Sequence, residues 1–176
     1  RFGGDAIFSS SLEGVPSVLA MFESENGEYP PTTGTVILGD NITGIPAIGV
    51  TQNIPMLRVS AAQGIASAPV DADNLVRQIP LLMQTPKGWV ASFGTEVLKM
   101  LAGQQTYILK GSASGIEEIS VRGIPPTKLD KYGRQWIHWV DTEQTTLQEM
   151  NVEGKFVFVG VTARGVMPQI ATPSGL

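Results

Sequence analysis

The chain has 176 residues, of which 42% are hydrophobic and 16% are charged, so it is long and apolar enough to fill one complete core. Its 12 basic and 16 acidic residues give a net charge of -4, and the basic residues are scattered, which argues against a nucleic-acid partner. Cysteine is absent, which excludes disulfides, thiol nucleophiles and thiolate metal sites.

The first part of the chain predicts a short helix capped by Asp5 and then an apolar strand over residues 15–22. A cluster of Glu, Asn, Gly, Pro and Thr predicts a long surface loop over residues 23–35. Between residues 40 and 58 the chain is uncharged, but prolines, glycines and polar residues interrupt it too often for a membrane-spanning helix. We therefore expect none of this sequence to cross a bilayer.

Residues 60–84 have the pattern of a β-hairpin. An Ala-rich opening leads to a polar break over 71–74, and a strand over 76–83 follows. Pro80 interrupts that strand, which is typical of an edge strand or a bulge. The next turn is predicted at residues 85–88, where proline and glycine favour it.

A helix is predicted from Ser92 to about Ala102, with Gly103 as its stop signal. Glu96 and Lys99 fall on its polar side. The residues predicted to face the core share one apolar stripe: Phe93, Val97, Met100 and Leu101.

The last part of the chain predicts strands over 106–109, 116–121 and 135–140 and a short helix over 146–150. Within the segment 154–165 it predicts a final buried strand that runs into an exposed loop. Strands outnumber helices, but the two kinds alternate. We therefore predict an α/β fold, with α+β as the alternative, in which helices cover a mixed β-sheet within a single domain.

Polar side chains follow the final predicted strand. In an open α/β sheet, ligands usually bind at the carboxyl ends of strands, so this loop is a candidate recognition surface. The turn at residues 71–74 adds two carboxylates, and an arginine four residues after the second could pair with either of them. The candidate ligand-binding residues are Asp71, Asp73, Arg77, Thr162, Arg164 and Thr172.

We find no catalytic or metal-binding constellation in the sequence. His138, the single histidine, has no partner at the spacing of a triad or a metal cluster, which favours a structural or surface role. The sequence from Asp71 begins like a calcium loop, but Val76 and Leu82 occupy the positions that need glycine and glutamate. The sequence thus predicts no catalytic residue, no metal and no cofactor.

Five groups of residues, spaced over positions 55–175, together carry a family resemblance. They are Ala61-Ala62 with Gly64; Asp71 and Asp73 with Arg77 and Pro80-Leu81; the helix after Trp89; Pro126-Thr127 with Asp130 and Gly133; and Gly154-Lys155 through Val159-Gly160-Val161-Thr162 with Thr172-Pro173. In order and spacing they resemble the CHASE2 domain, a sensory module of bacterial receptors. The last group is the most specific.

The resemblance implies a location on the periplasmic or extracellular side of the cytoplasmic membrane. In the family, membrane helices join the domain to an adenylate or diguanylate cyclase or to a kinase. Residues 1–176 would then be one sensory domain, truncated at both ends, without enzymatic activity of its own. Its partners would be an unknown small molecule or ion, a second copy in a homodimeric receptor, and the membrane through flanking helices outside this sequence.

Three functions remain open at this point. The first is a sensor that binds a small molecule or ion and shifts a receptor dimer between two states. The second is a dimerisation or protein-interaction module without a ligand, which exposure of Trp89, Trp136 or Trp139 would support. The third is a hydrolase or transferase whose catalytic residues are far apart in sequence.

Overall fold

The computed structural model describes residues 3–40, 42–140 and 151–160. Its helices and strands all belong to one compact unit, Arg1–Pro69 with Gln78–Trp136; the second unit is Val70–Arg77 with Ile137–Leu176. The described elements, in chain order, are α1 (Gly3–Leu12), β1 (Val18–Glu28), β2 (Gly34–Gly39), β3 (Val50–Thr51), α2 (Pro55–Ser60), β4 (Ala62–Ile65), β5 (Gln78–Pro80), β6 (Leu82–Thr85), β7 (Gly88–Ala91), α3 (Phe93–Leu101), β8 (Thr106–Ser112), β9 (Gly115–Val121), β10 (Ile124–Lys128) and β11 (Arg134–Trp136).

The strands form two mixed sheets and two antiparallel pairs. In the first sheet, of order β3-β1-β4, β1 runs antiparallel to β3 and parallel to β4. In the second, of order β10-β9-β8-β2, β2 runs parallel to β8 and the other neighbours are antiparallel. The pairs are β5 with β11 and β6 with β7. Mixed sheets with a few helices confirm the predicted α/β class.

Two hydrophobic clusters form the core of this unit. The larger one contains Trp89 and Tyr107 together with residues of β6, β8 and β9. The smaller one joins Met21 of β1 and Ile65 of β4 to Met83 and Val90 of the β6–β7 pair. Alternate residues of β8 point into the core, which is the period-two burial expected of a strand with one covered face. In β9 the buried residues are Ile116, Ile119 and Val121.

The predicted loop over 23–35 is wrong in its first half, because β1 continues to Glu28. The polar residues are held in the strand by pairing with β3, across a bulge between Glu23 and Glu28. Gly27 and Gly49 approach each other so closely that a Cβ on either would overlap the opposing backbone. Cross-strand partners therefore override the turn-like composition. Asp5 also differs from its predicted capping position, since it lies inside the first turn of α1.

The predicted hairpin over 60–84 is also wrong. Its residues form three separate strands, and each pairs with a different partner: β4 with β1, β5 with β11, and β6 with β7. Pro80 ends β5. The hairpin in this region is the one at the second predicted turn, where Thr85 Oγ1 donates to the carbonyl of Gly88 at 2.9 Å.

The bounds of α3 agree with the prediction, but the buried face does not. Ser92 and Ala102 cap the helix, and Gly103 follows with a φ of 61°. The residues buried within it are Thr95, Glu96 and Lys99, whereas Leu98 and Leu101 are exposed. Glu96 and Lys99 were predicted to face away from the core. Their burial is tolerated because the two charges form a salt bridge with each other.

Later elements agree with the sequence in part. The strands predicted at 106–109 and 116–121 are present, while the one predicted at 135–140 is reduced to β11 and the helix predicted at 146–150 lies outside the described residues. The predicted buried strand before Gly160 is wrong, because residues 154–160 are exposed and have no strand assignment. An apolar run becomes a buried strand only where a partner strand covers it.

Candidate functional site

Asp71, Asp73 and Arg77, which the sequence predicts as ligand-binding residues, lie together in the second unit. Arg77 binds Asp73 through two hydrogen bonds, Nη1 to Oδ1 at 2.8 Å and Nη2 to Oδ2 at 2.6 Å. Its Nη1 also donates to Asp71 Oδ2 at 2.8 Å. Asp73 Oδ1 accepts from the N–H of Leu75, and Asn74 has a φ of 63°. The pairing predicted between this arginine and the turn is therefore confirmed.

The electrostatics of this cluster favour the charged forms of Asp73 and Arg77. The hydrogen bonds from Arg77 lower the pKa of Asp73 from 3.8 to about 2. The hydrogen bonds to Asp73 and Asp71 in turn raise the pKa of Arg77 above its ordinary value. The side chains stay substantially exposed, so the cluster pins its turn and contributes little to overall stability.

The remaining predicted site residues, Thr162, Arg164 and Thr172, lie outside the described residues. The family-like residues Asp130 and Gly133 build a second turn of the same kind. Partial burial acts to raise the pKa of Asp130, but hydrogen bonds from the N–H groups of Arg134 and Tyr132 and from the Arg134 guanidinium outweigh it and lower that pKa.

A second polar cluster, which sequence reasoning missed, lies on the buried face of α3. Lys99 Nζ contacts Glu96 Oε1 at 2.8 Å and donates to Thr33 Oγ1 at 2.7 Å. Tyr107 Oη lies 3.1 Å from Glu96 Oε2 and 3.0 Å from the carbonyl of Thr95. The Lys99 ammonium also lies over the Tyr107 ring, 5.1 Å from its centroid. The cluster ties α3 to β8 and to the segment before β2.

Burial shapes the chemistry of this cluster. Only 9% of the Glu96 side chain and 10% of the Lys99 side chain are exposed to solvent. Burial, reinforced by the adjacent Glu96 charge and its hydrogen bond, raises the pKa of Tyr107 above the ordinary range of tyrosine. Tyr107 is therefore a hydrogen-bond donor at neutral pH, and the Glu96–Lys99 pair is held in one geometry by partners on both sides.

This pair lines a cavity of about 260 Å³, which we call the Arg58 cleft. Arg58 of α2 lies at its edge and is exposed, and its Nη1 donates to Gln52 Oε1. Within the described residues, no carboxylate lies within salt-bridge distance of this guanidinium. Gln63 also lines the cleft; its Oε1 accepts from Asn53, so its amide N–H groups have hydrogen-bonding capacity left. The cleft therefore combines the preorganised Glu96–Lys99 pair, which we call its floor, with the Arg58 cation, which has no salt-bridge partner among the described residues.

Little in the sequence could have identified this cleft. Glu96 and Lys99 are three residues apart, as many solvent-exposed helical ion pairs are. Their partners Thr33 and Tyr107 come from distant parts of the chain. Arg58 carried no signal beyond being a charge at the end of an uncharged run.

The described residues contain no group of three metal-ligating side chains close enough to hold an ion. His138 is exposed and lies beyond the end of β11. Among the described helices, none is both long and apolar enough to span a membrane.

The comparisons with known proteins identify the family of the chain. The family model described as the CHASE2 domain matches residues 5–175, which is nearly the whole sequence. No curated protein and no solved structure matches significantly. The match includes the turns at Asp71 and Asp130 and both sides of the Arg58 cleft. The chain therefore belongs to the CHASE2 family of extracytoplasmic sensory domains.

Proposed function

We propose that this chain is the sensory part of a homodimeric bacterial membrane receptor, and that it recognises a small molecule or ion on the periplasmic or extracellular face. Recognition controls a cyclase or kinase on the cytoplasmic side. The observation that carries the proposal is the CHASE2 match over residues 5–175, because the family consists of extracytoplasmic sensory domains. No enzymatic step by this chain is part of the proposal.

A ligand shifts such a receptor only by the difference between its affinities for the two receptor states. The stimulus must therefore bind measurably to the sensory domain in at least one state. The first test is the thermal midpoint of the 176-residue chain against a panel of ions, organic acids, amino acids, sugars and nucleotides. A ligand at a hundred times its dissociation constant adds about 2.7 kcal/mol, which raises the midpoint of a domain of this size by roughly 5 to 11 °C.

The second test joins the chain, through membrane helices, to an adenylate cyclase domain and measures cyclic nucleotide formation. A compound that shifts the midpoint should change cyclase output in the same concentration range. Alanine at all six sequence-predicted positions, Asp71, Asp73, Arg77, Thr162, Arg164 and Thr172, decides whether they form the ligand site. An unchanged response in that variant refutes this site, and an output that responds to no ligand argues against the sensory function.

One observation favours a second candidate function, an interaction module without a small ligand. Trp136 is 61% exposed and Trp139 is 41% exposed, whereas Trp89 is buried at 6%. Exposed tryptophans are enriched among the residues that dominate interface energetics. Iodide should quench the fluorescence of the first two and leave that of Trp89, which serves as an internal control. Loss of quenching on self-association, together with no ligand in the panel, would favour this function.

A further inference from the structure

We propose that the Arg58 cleft binds a small monocarboxylate, with the ligand carboxylate on the Arg58 guanidinium and the rest of the molecule above the Glu96–Lys99 pair. The proposal deepens the sensory function above and depends on it, because it names the chemical class of stimulus. It does not use the Asp71, Asp73 and Arg77 cluster, where each charged group already has a partner of opposite sign.

Charge is the first argument. Among the described residues, three ionisable side chains line the cleft, namely Arg58, Glu96 and Lys99. The last two neutralise each other at 2.8 Å, so Arg58 is the uncompensated charge of these three. Glu28 lines a second cavity with Arg58 but forms no salt bridge with it. A monoanion balances the Arg58 charge, whereas a dianion such as hydrogen phosphate would leave an excess negative charge beside the Glu96 carboxylate.

Hydrogen-bonding capacity is the second argument. A guanidinium offers five N–H donors in a planar fork that matches a carboxylate. The hydrogen bond to Gln52 Oε1 uses one donor of Arg58. The Thr32 hydroxyl and the Gln63 amide also line the cleft and can bind a hydroxyl or keto oxygen on the ligand. Glu96 accepts from Lys99 and Tyr107, one partner on each oxygen, so it is already satisfied without a cationic ligand.

Preorganisation and size are the third argument. The floor is fixed by the contacts of Lys99 with Thr33 and Glu96 and by the hydrogen bond of Tyr107, so it loses little further freedom on binding. A volume of about 260 Å³ is below the range of roughly 300 to 1,000 Å³ that holds drug-sized ligands. The cleft therefore has room for a two- to four-carbon acid but not for a drug-sized ligand.

The experiment titrates the 176-residue chain with sodium acetate, lactate and pyruvate, followed by amide chemical shifts, with ionic strength held constant by sodium chloride. Lactamide tests the charge, since it keeps the shape of lactate without the carboxylate. Inorganic phosphate, at a mildly alkaline pH where the dianion predominates, tests the class of anion. Arg58→Gln removes the guanidinium at an exposed position, and Arg122→Gln is the matched control because Arg122 is exposed in the β9–β10 turn and does not line the cleft.

The proposal expects at least one of the three carboxylates to bind, with the largest shifts in α2, α3 and residues 31–34. Arg58→Gln should weaken that binding about 10-fold or more, the effect of losing a charge-assisted hydrogen bond. Arg122→Gln should leave it unchanged. Three results would overturn the proposal. The first is that none of the three carboxylates binds to the folded chain, and the second is that lactamide or phosphate binds as tightly as the carboxylate. The third is that both arginine variants lose the same amount of carboxylate affinity.

The receptor fusion separates this proposal from the broader one. If cyclase output responds to some stimulus but Arg58→Gln responds as the parent does, the cleft assignment fails and the sensory function stands. If the carboxylate binds the cleft but never changes the output, the site is correct and the sensory function fails. A loss of response confined to Arg58→Gln, with Arg122→Gln intact, supports both.

Discussion

Lys99→Met tests whether the floor of the Arg58 cleft is a buried ion pair in solution. Methionine keeps an unbranched apolar stem close to that of lysine but removes the charge that faces Glu96. The carboxylate, whose side chain is only 9% exposed, then loses its ionic partner and keeps the hydrogen bond from Tyr107. Removing one partner of a buried pair costs about 3 to 5 kcal/mol, and the adjoining cleft favours the lower end because water can reach the site.

Urea unfolding followed by tryptophan fluorescence measures this loss, and Trp89, which is buried at 6%, is the tryptophan that unfolding exposes. For a chain of this size, 3 to 5 kcal/mol corresponds to a fall of roughly 6 to 20 °C in the thermal midpoint. Lys87→Met is the matched control, since Lys87 lies exposed in the β6–β7 turn. That variant should change the free energy of unfolding by no more than about 0.5 kcal/mol.

The double variant Glu96→Gln with Lys99→Met completes the cycle. It removes both charges, so its free energy of unfolding should return to within about 1 kcal/mol of the parent or exceed it. If Lys99→Met destabilises no more than Lys87→Met, the pair is not buried in solution and the reasoning about the cleft floor is refuted. If the double variant is as unstable as the single one, the loss comes from packing of the lysine stem and not from an unpaired charge.

Three further perturbations test other parts of the structure. The Arg77 guanidinium lowers the pKa of Asp73 from 3.8 to about 2. The resulting stabilisation is present above the unfolded-state pKa and is lost as pH falls through the folded-state pKa. The difference in thermal midpoint between the parent and Asp73→Asn should therefore shrink between about pH 4 and 2, and a difference that stays constant would contradict this pKa shift. Gly64→Ala would place a Cβ 2.6 Å from Phe93 Cα, so it should lower the free energy of unfolding by about 1 to 3 kcal/mol. In Gly94→Ala the new Cβ meets nothing within 4 Å, so the free energy of unfolding should rise by up to about 1 kcal/mol. Similar urea midpoints for the two variants would argue against this packing. Burial and the Glu96 charge raise the pKa of Tyr107. The stabilisation from the neutral phenol is fully present below the ordinary tyrosine pKa and is lost as pH rises through the raised value. An alkaline absorbance titration should show one tyrosine that ionises only with unfolding, and Tyr107→Phe should lack that component.

The sequence predicted correctly those features that depend on residues close to one another along the chain. Ser92 and Gly103 bracket α3 because capping depends on a few adjacent residues. Asp71, Asp73 and Arg77 come together because they lie within six residues of one another. The sequence could not orient α3, because the partners of its buried charges are separated from it by up to 66 residues.

The strands missed by the sequence have similar physical reasons. β10 contains Pro125 and Pro126, which argue against a strand, yet it lies at the edge of its sheet with a register shift between Ile124 and Thr127. An edge position needs fewer N–H donors, so it accepts proline. β2 was missed because its short apolar run has no alternation, and its parallel pairing with β8 depends on residues about seventy positions away.

The ion pairs in the described residues separate into two physical classes. Those of Arg77 and Arg134 are local, substantially exposed and explained by the turns that they close. The Glu96–Lys99 pair is buried, and its further partners are distant in sequence. A well-packed apolar pair would stabilise α3 as well or better, so stability does not explain why charges occupy this face while Leu98 and Leu101 face solvent. The binding of a charged ligand in a water-accessible cleft does explain why charges occupy this face. Fixed charges at the floor disfavour apolar molecules, and they provide a polar surface that is already ordered before the ligand binds.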